Sequence, residues 1–151
     1  MKRRVSGKSG FLQHHSLSLV ACSILVSWIL LYRVFDSKTH WGSFFGNAIA
    51  DWTGVLVMVL ATKHLYESGS EESNEPPAGF FPAAFRIVQK HSLTIFLVMT
   101  GAGWILLFMR SDPTGKWGQV VSNIVSEWTQ LLGLVLLTKK LREWHSKESK
   151  P

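Results

Sequence analysis

The chain reads as an all-α integral membrane protein: four transmembrane helices built from two parallel helical-hairpin repeats. Three observations predict this. Four apolar runs, Leu17–Phe35, Phe44–Ala61, Leu93–Met109 and Val120–Leu137, each approach the roughly 20 residues that cross a bilayer. The second half of the chain repeats the first without gaps at an offset of 76, with about 23 of the 59 positions from His15 to Ser73 identical. Lysine and arginine gather at the two ends, as they do on the cytoplasmic side of membrane proteins.

The first ten residues, 1–10, form a basic arm with Lys2, Arg3, Arg4 and Lys8. A basic cluster before an apolar run resembles a secretory signal. The run is long for a signal, however, and its counterpart Leu93–Met109 is internal, so helix one is structural. The first hairpin occupies 11–67. Its helices are joined by a short loop carrying Arg33 and Lys38. Residues 68–90 are a linker whose first part, Ser68 to Gly79, is polar, acidic and broken by Pro and Gly. Phe80 to Phe85 belong at the membrane interface before Arg86 and Lys90. The second hairpin occupies 91–143, with Arg110 and Lys116 in its loop, and 144–151 is a tail. The tail and the segment before it add Lys139, Lys140, Arg142, Lys147 and Lys150. Both termini are placed in the cytoplasm and the two short loops outside, in a multi-pass protein of the cell inner membrane.

The net charge of +6 is explained by this topology and calls for no nucleic acid. A soluble bundle of buried helices is the other fold weighed. Runs apolar on nearly every face count against it. Cys22 stands alone inside the first run and reads as a small packing residue. Gly42 with Gly46, Gly101 with Gly103, and Ser23 with Ser27 read as small residues where helices approach closely.

The register of the repeat is carried by polar and aromatic residues. His15-Ser16-Leu17 pairs with His91-Ser92-Leu93, Trp28 with Trp104, Asp36 with Asp112, and Trp41-Gly42 with Trp117-Gly118. Asn47 pairs with Asn123, Asp51 with Glu127, Trp52-Thr53 with Trp128-Thr129, Thr62-Lys63 with Thr138-Lys139, and Glu67 with Glu143. Trp41 and Trp117 open the second helix of each hairpin, where aromatic belts anchor helices. Trp52 and Trp128 are further anchor candidates.

An acid within an apolar run is costly and marks a candidate site. Starting the second helix near Ser43 puts Asp51 roughly 12 Å deep at 1.5 Å per residue, near the midplane. Asn47 and Ser43 lie on the same face at spacings of four. In the second hairpin that face carries Gln119, Asn123 and Glu127, with Thr129 and Gln130 close by. A pseudo-twofold axis along the membrane normal would turn the two faces toward each other. Asp51 and Glu127, supported by Asn47 and Asn123, are therefore candidates for binding an ion or relaying a proton; a divalent cation is the cofactor they would suit. The bland alternative is that both acids are protonated and only hold the halves together. A third is that they meet a partner protein.

His14, His15 and His91 lie at the inner helix ends, where histidine is usually a polar interfacial residue and sometimes a pigment or haem ligand. His40, His64 and His145 fall in loops or tails. The segments Thr62–Glu67 and Thr138–Glu143 read as helix extensions whose charges meet lipid headgroups. No nucleophilic triad, phosphate loop or zinc pattern is present in the sequence, so enzymatic chemistry is not expected.

Each repeat resembles the two-helix unit of the low-affinity iron permease family. The matching features are an apolar helix with Trp28 or Trp104, then Phe35-Asp36 or Asp112, then Trp41 or Trp117 opening a second helix with a nearby Asn47 or Asn123. A Leu/Val-rich run to a polar end completes it. The resemblance implies a membrane hairpin fold and metal-ion transport. With so few helices, transport would require a homo-oligomer. The function expected from these readings is cation or proton transport, with a non-catalytic accessory or assembly subunit of a larger membrane complex as the alternative.

Overall fold

The computed structural model describes residues 7–70, 83–139 and 141, with side chains from His15 in the first stretch and from Phe85 in the second. The arm residues Lys2, Arg3 and Arg4, most of the linker, and the tail with Lys140, Arg142, Glu143, His145, Lys147 and Lys150 lie outside the described residues. The same holds for the side chains of Lys8 and His14.

Among the described residues the fold is all-helical. The elements are α1 (Gly7–Val34), α2 (His40–Ala61), α3 (Ala83–Lys90), α4 (Ser92–Arg110) and α5 (Lys116–Leu137). Four of them, all but α3, are long and apolar enough to cross a membrane. Helix α1 starts at Gly7, inside the stretch read as an arm, because nothing from Gly7 to Gln13 breaks a helix strongly enough to delay it. Residues 83–90, which overlap the segment expected at the membrane interface, form the short helix α3.

Both hairpin turns are built around an aspartate. The Asp36 carboxylate accepts from the Lys38 backbone N–H at 3.0 Å. Its carbonyl accepts from the Thr39 backbone N–H and from the Thr39 hydroxyl, at 3.0 and 2.7 Å. Thr39 then caps α2 by accepting from the Gly42 N–H at 3.1 Å. In the second turn the Asp112 carboxylate accepts from the hydroxyl and N–H of Thr114, at 2.7 and 2.9 Å. Those bonds hold the Asp112 carboxyl below the usual aspartate range. Gly42 and Gly118 lie directly on the Asp36 and Asp112 carbonyls, where any Cβ would collide with backbone. The conserved spacing Asp-x5-Gly within the chain is therefore a close approach of helix start to turn, and Gly42 is not a helix–helix contact.

Helices α2 and α5 pack on each other at the centre, α1 packs on α2, and α4 packs on α5. One cluster near the turn end joins Tyr32, Phe45, Ile49, Ala50, Val120, Ile124 and Trp128. A second, at the opposite or open end, joins Ala61, Leu93, Leu97 and Val135. Gly46 meets the Tyr32 ring and Gly101 meets the Trp128 ring, so both serve close packing. Gly103 faces open space, and Ser23 and Ser27 return their hydroxyls to the carbonyls of Leu19 and Ser23. These three residues do not form the helix contacts their spacing suggests.

The outer faces of α1 and α4 are apolar and exposed, including Leu17, Val20, Leu30, Val98, Met99 and Leu106. Exposed apolar area on this scale is unsuited to water. It argues against the soluble bundle and fits helices meeting lipid.

Candidate functional site

The α2–α5 contact carries the residues singled out by the repeat. Asn123 donates its amide to the Asn47 side-chain carbonyl at 2.5 Å, so these two meet directly across the seam. One turn toward the open end, Glu127 is half-buried and rests on Gly54; a Cβ there would lie 2.7 Å from its Cγ and Oε1. The missing side chain at Gly54 gives that carboxyl group its place, and a Cβ there would push it aside. Asp51 is exposed on α2, one turn from Asn47. The seam thus brings the asparagines into contact and sets the two acids beside them in different surroundings.

The neighbouring hydroxyls are already used. Thr53 and Thr129 donate to the carbonyls of Ile49 and Val125, at 2.6 and 3.0 Å. Trp128 is buried and donates its indole N–H to the Thr100 hydroxyl at 2.9 Å, while its ring lies against Trp104. Trp52 is half-buried in mid-helix. Trp41 and Trp117 are exposed at the helix starts, against Phe45 and Tyr32 respectively. Among the described residues no three His, Cys, Asp or Glu side chains converge as a metal site. A cavity of about 280 Å³ between α4 and α5, lined by Leu97, Gly101, Ile105, Val125 and Trp128, carries no ionisable group.

A second polar cluster lies at the open end, where the sequence suggested charges meeting headgroups. Helix α2 stops at Ala61, and the chain folds back so that Glu67 is fully buried. Its Oε1 accepts from His91 Nδ1 at 2.7 Å and pairs with the Lys139 ammonium. Its Oε2 accepts from the Thr94 backbone N–H at 3.0 Å, satisfying a free amide at the start of α4. Burial pushes the Glu67 carboxyl up, but the bonds from His91, Lys139 and Thr94 outweigh it and hold the group at about 2. Around it, Ser92 accepts from the Tyr66 N–H at 2.8 Å, and the Ser68 N–H donates to the Lys90 carbonyl at 2.8 Å. Ser70 and Thr138 share a hydroxyl contact at 3.0 Å, so the start of the linker is packed. In the first hairpin the matching residues Lys63 and His15 also meet, at 3.1 Å. The signal for Glu67 was present in the repeat: Glu67 pairs with Glu143 just after the paired Thr-Lys.

No protein-family model, no curated protein and no solved structure matches this chain. The class it falls in is defined by its own features: an all-helical chain with four helices able to cross a membrane, a polar seam between two of them, and a buried ionic cluster at one end.

Proposed function

We propose that the chain is a duplicated-hairpin membrane protein that moves a proton or small cation along the α2–α5 seam. The reading places it in the cell inner membrane with both termini cytoplasmic. The Asn47–Asn123 hydrogen bond carries this reading, because it sets the polar faces of the two central helices against each other beside Asp51 and Glu127. Carboxyl groups within transmembrane segments are the side chains that proton relays use. A divalent cation prefers six or more oxygens and would draw further ligands from another chain. The likeness to the iron permease unit favours a metal cargo, and the donor set favours a proton.

A second reading, an accessory subunit in a larger complex, is favoured by the exposure of Asp51, Ser126 and Gln130 within otherwise apolar helices. One comparison separates the two. Asp51→Asn and Glu127→Gln are made together, and ion flux in proteoliposomes is measured alongside recovery of complexes in detergent. Transport predicts lost flux from an intact protein. Unchanged flux with lost assembly would reject transport in favour of the accessory role.

A further inference from the structure

We infer that the open polar face of α5 is a docking surface for a second copy of this chain, which closes the seam. The inference rests on the reading that α2 and α5 lie in a membrane. At 3.6 residues per turn, Gln119, Ser122, Ser126, Thr129 and Gln130 fall within roughly a third of the helix circumference. All five are exposed. Gln119, Ser122, Ser126 and Gln130 meet no side-chain hydrogen-bond partner among the described residues. Asp51, also exposed and also without such a partner, stands on α2 across the Asn47–Asn123 bond from this face.

Lipid suits the outer faces of α1 and α4, which are apolar. It cannot satisfy the Gln130 carboxamide or the Asp51 carboxyl group, and polar groups at membrane depth turn toward protein or a water-filled space. A single chain supplies only one wall for such a space. A second copy supplies the other, with matching chemistry. A carboxamide both donates and accepts, so Gln119 and Gln130 can pair with their own copies across a twofold axis or donate to an acid opposite. With the axis along the membrane normal, equal depths meet: Ser126 faces Ser126 of the other copy. Ser122, Ser126 and Gly133 are small, which allows close approach of the helices. Asp51 then lies at the edge of an enclosed seam, and the candidate site is complete only in the dimer.

The test uses the full chain carrying Cys22→Ser, in bilayers at a low protein-to-lipid ratio, treated with a short bis-maleimide. Ser126→Cys is expected to cross-link to a dimer. Ile105→Cys, exposed on α4, is expected to give at least fivefold less. The Cys22→Ser protein with native Ser126 is expected to have dimeric mass in nanodiscs, which guards against a variant that fails to fold. Adding Gln119→Leu and Gln130→Leu together is expected to cut the Ser126→Cys product at least fivefold. A membrane-retained monomer, equal cross-linking at both positions, or cross-linking only to a different protein would overturn the inference and leave the membrane reading standing. Release of the protein by alkaline carbonate without detergent would overturn both.

Discussion

Replacing Glu67 by Gln should destabilise the protein at neutral pH and do so much less in acid. The wild-type carboxylate is fully buried and holds together the loop after α2, the start of α4 through His91 and Thr94, and the end of α5 through Lys139. A carboxyl held at about 2 in place of an ordinary 4.5 corresponds to roughly 3 kcal/mol of stability at neutral pH. The His91 side chain is 45% exposed, so solvent screening reduces the expected figure to about 2 kcal/mol. The folded carboxyl sits below its unfolded value, so its contribution is present above about pH 4.5 and is lost as pH falls toward 2. Thermal unfolding in mild detergent, wild type against Glu67→Gln, reads this directly. The variant should melt several degrees lower at pH 7, and more than half of that deficit should be gone by about pH 3. Equal melting at pH 7 would show that the cluster contributes no net stability, and a deficit unchanged at pH 3 would show that its contribution does not come from the ionised carboxylate.

Gly42→Ala and Gly118→Ala should each cost about 2–3 kcal/mol, because the new methyl group meets the Asp36 or Asp112 backbone carbonyl and the turn must move; melting of the two variants against Gly103→Ala, which faces open space, checks it. Gly54→Ala should cost less than about 1 kcal/mol in stability, since the side chain it meets can swing away. On the proposed reading it should nevertheless lower flux severalfold by displacing the Glu127 carboxyl group, so flux and melting measured on one preparation should part company.

The four long helices were readable because apolar length is a local property, whereas the spacing of Gly42 suggests helix packing, because its contact with the Asp36 carbonyl appears only in the folded turn. The repeat suggests that the faces carrying Asn47 and Asn123 turn toward each other, but not that the two asparagines bond each other. Glu67 was misplaced for a definite reason. The apolar pattern of α2 gives no sign that the helix stops at Ala61, and an acid two turns beyond an apolar run looks solvated unless its distant partners are known. His91 and Lys139, 24 and 72 positions away, supply those partners, and spacing in one segment cannot reveal them. The same limit explains Ser23 and Ser27: small residues at spacing four fit a helix contact equally well as self-bonded hydroxyls, and only the position of the neighbouring helix decides.

Divergence between the hairpins bears on how the proposed acid pair would work. Two equivalent carboxyl groups on a symmetric seam would compete for one proton on equal terms. Here Gly54 stands where the offset puts Gln130 in the other hairpin, so Glu127 has a backbone ledge to lie on that the matching position on α5 does not offer. Tyr32 likewise stands where the other hairpin has Phe108. Its hydroxyl donates to the Lys116 carbonyl at 2.5 Å, while the Lys116 ammonium donates back to the Phe35 carbonyl. That lock binds the first turn to the start of α5 and has no counterpart at Phe108. The seam is therefore pinned at its turn end and uneven at its acids. A proton or cation entering such a seam would meet two carboxyl groups of different exposure, an asymmetry that a perfect repeat could not provide.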